Sequence, residues 1–224
     1  MGLDMYLNKF PRHEDVTIDQ ICAIECYFDW VDYKTNNGYD GTFEAWCHRN
    51  LEDLPSLEVI EFYRQFYTKK YSLWDTEHKY GYMQIHEQAG YWRKANAIHS
   101  WFVEHVQDGE DDCEYHQEVT KGVLEDLLRT CEKVLASCDL VDGKIQRGYS
   151  YTGGKEVPHI VDGQYVKDTT VAEDLLPTAE GFFFGGTNYD DYYVQDIQDT
   201  IDIVTRVLET TDFEKEMLYY VSSW

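Results

Sequence analysis

Residues 85–106, IHEQAGYWRKANAIHSWFVEHV, constrain the fold of this chain most, because helical periodicity there coincides with polar residues at inward positions. Side chains recur at intervals of three and four, the spacing of one helix face. The face consists of Ile85, Ala89, Trp92, Asn96, His99, Val103 and Val106. The pattern predicts a central helix at about residues 83–107, with Asn96 and His99 facing the interior and Arg93 at the edge of the face.

The segments around this stretch predict both helices and strands. Leu3, Met5 and Leu7 alternate with polar residues, which is typical of a half-buried strand, and the ending EMLYYVSSW is a second strand candidate. Thr17 and Gln20 form the capping box of a first helix. Further helices are expected near residues 42–50, 55–67, 120–137 and 189–209. Thr120 is the expected cap of the third of these helices, and Asn188 or Thr187 that of the fourth. We therefore predict an α+β fold, with several helices packed around the central helix and a small sheet that includes the N- and C-terminal strands.

The chain shows no repeat and no low-complexity linker, so we expect a single α+β domain over residues 1–224. Within it, residues 14–82 form a helical addition that ends in an ordered loop at 68–82. Glycines separate short runs of strand-forming residues at 139–168, which predicts a hairpin insertion. The sequence GFFFGG at 181–186 predicts a short buried strand.

Charge excludes several classes of partner. The chain has 43 Asp and Glu against 19 Lys and Arg, a formal net charge of -24. Direct binding of nucleic acid and attachment to an anionic membrane both need basic surface, so neither is expected. Two interpretations remain open: a solvated acidic surface that confers solubility, or a surface that mimics nucleic acid and occupies a basic groove on another protein.

The sequence also predicts the compartment. The N-terminus lacks the apolar core of a signal peptide, and no apolar run approaches a membrane span of about 20 residues. The six cysteines do not form a disulfide framework pattern for a chain of this length. We therefore expect a cytoplasmic protein whose cysteines are reduced thiols in the core.

The sequence lacks residues that known catalytic and metal-binding motifs require. His86 and Glu87 begin like a zinc-protease helix, but Gly90 stands where the second histidine is needed. Cys22 and Cys26 have no second ligand pair at a suitable spacing. No phosphate-binding loop and no nucleophile elbow occur. The sequence thus predicts no metal, no cofactor and no assigned catalytic residue. It leaves open whether the protein is an enzyme, and it favours a protein that is not one.

The polar residues of the central stretch allow two interpretations. In the structural one, Arg93 pairs with an acid such as Asp4, while Asn96 and His99 fix the terminal strands, because buried polar groups need hydrogen bonds. In the functional one, Arg93 binds an anion, Asn96 orients it, His99 transfers a proton and an aromatic ring stacks on a base. The candidate ligand-binding residues are Tyr91, Trp92, Arg93, Asn96 and His99.

Four motifs carry a resemblance to a known family: MGLDMYL at the start, GYWRKANAIHSWFVEHVQDGEDDC, LLPTAEGFFFGGTNYDDYYVQDIQDTID, and YYVSSW at the end. In this order they resemble a family of uncharacterised proteins of bacteriophages and bacterial genomes. The resemblance implies a phage or prophage setting and a cytoplasmic location, and it implies no reaction. Shorter relatives lack much of residues 14–65 and the hairpin region, which implies that these parts are additions to a smaller core.

These observations favour an accessory protein that interferes with a host process, such as counter-defence. Its partner would be either a host protein with a basic surface, bound through nucleic-acid mimicry, or a small anionic nucleotide ligand. The alternative is a small nucleotide-processing or hydrolytic enzyme that uses His99 as acid and base. The sequence does not predict an oligomeric state.

Overall fold

Helices and strands alternate along the chain, which a computed structural model describes over residues 2–48, 50–71, 81–113, 117–181 and 184–224. In chain order the elements are β1 (Asp4–Pro11), α1 (Ile18–Asn37), α2 (Phe43–Cys47), α3 (Leu57–Arg64), β2 (Thr68–Tyr71), β3 (Gly81–Gln84), β4 (Glu87–Arg93), α4 (Asn96–Val106), α5 (Lys121–Leu135), β5 (Leu140–Thr152), β6 (Lys155–Val166), α6 (Thr170–Leu175), α7 (Asp191–Thr210) and β7 (Glu216–Ser223). A short 3₁₀ turn, Leu51–Asp53, precedes α3. The predicted α+β class is confirmed.

The two terminal strands belong to one small sheet, as predicted. Its strand order is β4-β1-β7. The amide of Lys94, directly after β4, donates to the carbonyl of Leu3, directly before β1, as expected for an antiparallel pair. Met5 and Leu7 of β1 are fully buried, so one face of the first half of this strand contributes to the core; in its second half the buried residues are Asn8 and Phe10.

The helix predicted at about residues 83–107 begins only at Asn96, so the prediction was wrong for the first half of this stretch. The helix is α4, and the residues before it form β4. In β4 the buried residues alternate with exposed ones: Gly90 and Trp92 are buried, while Tyr91 and Arg93 are exposed. This is the period of a strand, and Trp92 lies on the inward face under either period. A Cβ atom at Gly90 would lie 2.8 Å from Cγ2 of Ile203, so close packing with α7 requires glycine here.

The chain divides into two compact units, whose segments alternate along the sequence. The first comprises Met1–Asn8, Gln88–Thr211 and Tyr220–Trp224, and the second comprises Lys9–Glu87 and Asp212–Tyr219. The predicted single domain over residues 1–224, with its addition at 14–82 and its insertion at 139–168, stays a prediction. Each unit has its own buried residues.

In the first unit α5 packs along α7. Both helices are amphipathic, so each has one apolar stripe to bury. Thr120 caps α5 as predicted, since its side chain accepts a hydrogen bond from the amide of Val123. The buried residues of the two helices are Leu124, Leu127, Cys131, Val134, Tyr193, Ile197, Thr200, Val204 and Val207. Burial raises the pKa of the Cys131 thiol to about 12.

Strands β5 and β6 pair antiparallel, with the turn at Gly153 and Gly154. The register shifts between Gln146 and Tyr149, which is a bulge in β5. The amide of Val166, at the end of β6, donates to the carbonyl of Tyr189, and this bond holds that end of the hairpin next to the start of α7.

In the second unit α1 begins with the predicted capping box of Thr17 and Gln20. Tyr63 of α3 is buried and donates to the carbonyl of Pro11, and Phe10 stacks on Tyr219 with ring centroids 5.1 Å apart. Glu25 accepts hydrogen bonds from the amides that precede β4. Among the buried residues of this unit are Ile18, Ile21, Ala23, Ile24, Phe28, Phe43, Val59 and Ile60.

Three local predictions differ from the structure. Residues 68–71 and 81–84 form a pair of strands, β2 and β3, instead of a loop, and residues 72–80 lie outside the described part. Gly181 and residues 184–186 are irregular, whereas a strand was predicted; residues 182–183 are outside the described part as well. The cap of α7 is Asp190, whose carboxylate accepts two first-turn amide bonds, instead of the predicted Thr187 or Asn188.

Candidate functional site

The first unit contains a cleft of about 540 Å³ beside the N-terminal ends of α4 and α7. Its wall comes from the β4–α4 junction, from the bulge of β5, from the loop before α7 and from the first turns of α7. Three parts of the chain that are distant in sequence therefore converge on one cavity, since the loop before α7 leads directly into that helix. The charged and amide side chains that line it are Arg93, Lys94, Asn96, Gln146, Arg147, Asn188, Asp190, Gln195 and Asp196.

Lys94 occupies the junction between β4 and α4 in a left-handed backbone conformation, with φ of 60°. This conformation costs a non-glycine residue about 1 kcal/mol, and residues held in this way cluster at functional sites. Gly185 packs against the junction: a Cβ atom there would lie 3.2 Å from the carbonyl oxygen of Lys94. The Lys94 side chain is exposed and lines the cleft.

The N-terminus of α4 carries no side-chain cap, because its cap position is Ala95. The first amides of any helix lack partners within the helix, and they carry the positive end of its dipole. Ala97 of the first turn lines the cleft beside Lys94. This part of the cleft therefore combines an ammonium group with the uncapped start of a helix.

Asn96 is buried and ties α4 to the loop that precedes α7. Its amide nitrogen donates to the carbonyls of Phe184 and Gly186, and its side-chain oxygen accepts from the amide of Ala179, 3.0 Å away. These bonds use the polar atoms of the side chain on protein groups. Asn96 therefore positions the wall of the cleft.

Arg93 pairs with Asp4 of β1, as the structural interpretation predicted. Nη1 of Arg93 lies 3.3 Å from Oδ1 of Asp4, and the hydroxyl of Tyr91 donates to the same carboxylate oxygen. This bond, together with burial, raises the pKa of Tyr91. The Arg93 side chain is 58% exposed, so it lines the cleft while it makes this pair.

Arg147, in the bulge of β5, is a third cation of the cleft, after Arg93 and Lys94, and the sequence reasoning missed it. Its guanidinium lies 3.4 Å from the carboxylate of Asp190, forms an ion pair with Asp191, and stacks on the Tyr192 ring at 3.5 Å from the centroid. The pairing holds the hairpin against the start of α7. A signal for it was present in the adjacent acids Asp190 and Asp191, which need a cation nearby.

Asp196 is the second residue that the sequence reasoning missed. It lies one turn into α7, half-buried, on the wall of the cleft. Burial raises the pKa of this carboxyl to about 7, with smaller contributions from the charges of Asp199 and Asp190. The cleft therefore contains an acid that exchanges its proton near neutral pH.

Tyr91 and Trp92 line a neighbouring groove instead of the cleft. The Trp92 ring is buried, and its Nε1 donates to Oγ1 of Thr200 at 2.9 Å. A buried ring with a satisfied N–H group supports α7 and is not free to stack on a ligand. Arg93 and Asp196 line both the groove and the cleft.

His99 lines neither cavity. Its ring is 1% exposed and packs edge-on against Phe184, and Nδ1 lies 2.7 Å from the hydroxyl of Tyr220. Nε2 lies 3.1 Å from a carboxylate oxygen of Asp111, but the N–H direction is off that line, so the contact is electrostatic. Oδ1 of the same carboxylate accepts from Nε1 of Trp224. His99 therefore connects the acidic turn after α4 with the C-terminal strand.

The second unit has a larger cavity, of about 740 Å³, with a different chemistry. Phe10, Phe62 and Phe66 form its apolar side. Lys9 lies 3.2 Å from Glu216 and 3.7 Å from Glu87, and Lys215 is paired with an adjacent aspartate. Because these cations are already paired with carboxylates, this cavity is a weaker candidate for an anion.

No group of three or more His, Cys, Asp or Glu side chains in the described ranges could hold a metal ion. Within the same ranges, no helix is long and apolar enough to cross a membrane. Comparisons with protein-family models, curated proteins and solved structures find no match for this chain. The family resemblance therefore stays a prediction, and the ligand chemistry rests on the geometry of the cleft.

Proposed function

We propose that this chain is a non-enzymatic binding protein that holds a small anionic ligand, of the nucleotide class, in the cleft between α4 and α7. The observation that carries the proposal is the convergence of Lys94, Arg93 and the uncapped start of α4 on one cavity. The chain has a net charge of -24, so most of its surface repels anions. A cavity that instead brings together Arg93, Lys94 and the start of a helix without a side-chain cap fits an anion.

Each part of the cleft has a role in this proposal. The Lys94 ammonium and the first-turn amides at Ala97 bind phosphate oxygens, as helix N-termini do in many nucleotide sites. The side-chain amide of Gln146 and the side-chain oxygens of Asn188 and Gln195 can meet the edge of a base. The amide nitrogens of Asn188 and Gln195 donate to the carbonyl of Gln146 and to Asp199. Tyr192 is 64% exposed; the Arg147 guanidinium covers one face of its ring, and the opposite face can stack on a base.

The setting of the proposed activity follows from the resemblance of the sequence motifs to a family of bacteriophage and bacterial proteins. A phage accessory protein can interfere with a host process by sequestering a nucleotide signal, without turnover. We place this activity in the cytoplasm of the bacterial host cell, in line with cysteines that form no disulfide bond in the described part of the chain.

The alternative enzyme that uses His99 receives less support from the geometry. A general acid or base must reach the proton that it transfers. His99 is buried, contacts Tyr220 and Asp111 through its two ring nitrogens, and lies outside the cleft lining. The contacts match the role of a structural residue.

Isothermal titration calorimetry with a panel of nucleoside mono-, di- and triphosphates tests the proposal. We expect one class to bind the wild type, and Lys94→Ala to lose about ten- to a hundredfold in affinity, the usual value of a charge-assisted contact. Lys133→Ala is the matched control, because it removes an exposed lysine of α5 outside the cleft. Absence of binding across the panel, or equal losses in both variants, would refute the proposal.

A second candidate is nucleic-acid mimicry toward a host protein with a basic surface. The observation that favours it is a run of exposed carboxylates at and after the end of α4. They belong to Glu104, Asp108, Glu110, Asp111 and Asp112. A complex of this kind should weaken steeply as salt rises from 0.05 to about 0.5 M, because such interactions are screened. A host complex that persists at high salt contradicts mimicry.

A further inference from the structure

Asp196 stands out in the proposed anion site because it has the same charge sign as the ligand. It lies on the wall shared by the cleft and the neighbouring groove, together with Arg93. A carboxylate in such a position opposes any anion that brings no proton, because like charges repel across a partly desolvated site. The Asp196 carboxylate therefore affects which anions the cleft can bind.

The surroundings of Asp196 control its proton. On α7 itself, the carboxylates of Asp190 and Asp199 raise its pKa, together with the larger effect of burial. From the β4–α4 junction, Arg93 and Lys94 line the same cleft, and Arg147 lines it from β5. Two of these three cations already form ion pairs with other acids: Arg93 with Asp4, and Arg147 with the start of α7. The Asp196 carboxyl is therefore protonated in a substantial fraction of the molecules near pH 7.

We infer that Asp196 makes the cleft selective for a phosphate group that can share a proton, and selective against fully ionised anions such as sulfate. Inorganic phosphate carries at least one proton at neutral pH, and a phosphate monoester takes one up near pH 6. Either Asp196 or the phosphate oxygen supplies the proton of the hydrogen bond between them. Sulfate carries none, so it binds only when Asp196 is protonated.

This inference rests on the proposed anion site and names the ligand class more narrowly: a phosphate or a terminal phosphate monoester of a nucleotide. Asp196 is then a specificity-determining residue. It has no role in catalysis, and its contribution is a hydrogen bond to phosphate and a repulsion toward sulfate.

A ¹⁵N–¹H NMR titration with sodium phosphate and with sodium sulfate, at pH 8 and matched ionic strength, tests the inference through the backbone amides of Lys94 and Ala97. At this pH about a tenth of the Asp196 carboxyls hold a proton, whereas inorganic phosphate still carries one. In the wild type we expect phosphate to bind at least about tenfold more tightly than sulfate, the ratio for about 1.4 kcal/mol. In Asp196→Asn we expect the two affinities to lie within about threefold of each other, because sulfate no longer meets a carboxylate. Glu209→Gln removes an exposed carboxylate of the same helix outside both cavities and should keep the wild-type ratio.

The outcomes separate the inference from the proposed function. Equal binding of both anions by the wild type, or an unchanged ratio in Asp196→Asn, overturns the inference and leaves the anion site in place. If neither anion moves these amides and the nucleotide panel is also negative, the proposed function fails and the inference fails with it. A thermal melt of each variant checks that the fold is kept.

Discussion

Replacement of Asp196 by asparagine should stabilise the protein, and the gain should grow with pH. The asparagine side chain has nearly the same shape as the aspartate side chain but cannot ionise. In the folded chain the pKa of this carboxyl is about 7 against an ordinary value of 3.8. The folded state therefore binds the proton more tightly than the unfolded state does. Stability falls as pH rises from about 4 to about 7, and the full penalty is present above pH 7.

The magnitude follows from the two pKa values. A difference of one pKa unit corresponds to about 1.4 kcal/mol. Ionisation of Asp196 therefore costs the folded state up to about 4 kcal/mol at pH 8.5 and about 2 kcal/mol at pH 5.5. Asp196→Asn removes this cost. Its free energy of unfolding should exceed that of the wild type by these amounts, so the difference between the two proteins should rise by about 2 kcal/mol over this range.

Urea unfolding followed by circular dichroism at pH 5.5, 7 and 8.5 measures these differences. Asp202→Asn is the control, since it removes an equal charge from an exposed position of α7 and should change stability by about 0.5 kcal/mol or less, independent of pH. If Asp196→Asn shows the same small, pH-independent change as the control, the Asp196 carboxyl is solvated and the reasoning about the cleft wall is refuted.

Other changes test the supports of the site. Asn96→Ala should cost about 2–3 kcal/mol in urea unfolding, because three hydrogen bonds to the loop before α7 are lost; a change below about 0.5 kcal/mol would contradict this role. Tyr220→Phe should cost about 1–2 kcal/mol, since it leaves Nδ1 of His99 without its partner, and it should leave anion affinity unchanged. Gly90→Ala should cost about 1–3 kcal/mol by overpacking against Ile203. The thiol of Cys131 should resist alkylation in the native protein and react after unfolding, as measured by mass spectrometry of peptides.

Local signals in the sequence were sufficient for much of the fold. The capping box at Thr17 and the cap at Thr120 start helices where they were predicted, because capping depends on residues three positions apart. The terminal strands were predictable because their apolar residues alternate or run together over short spans. These elements depend little on distant contacts.

The start of the central helix was mispredicted because two periods agree over part of the stretch. Trp92 is inward in both a helix and a strand, so it does not distinguish them. Gly90, next to two aromatic residues, was the signal for a strand, since glycine disfavours a helix interior and aromatic residues favour strands. The sheet pairing with β1 then decides in favour of β4.

The candidate site was only partly predictable, for a physical reason. Asn96 was identified as an inward polar residue that needs partners, but its partners lie more than 80 residues away, in the loop before α7. Arg147 reaches the cleft only because the hairpin docks on α7, 44 residues further along the chain. The pKa of Asp196 depends on burial by these same elements. Such properties arise from tertiary contacts, and the sequence pattern of α7 alone does not contain them.

The most direct test of the central claim is a crystal structure of the protein with a nucleoside monophosphate. We expect electron density for the phosphate between the Lys94 ammonium and the first turn of α4, within hydrogen-bond distance of the Ala97 amide, with Asp196 facing a phosphate oxygen. Density for the ligand only in another cavity, or an empty cleft at saturating ligand concentration, would contradict it.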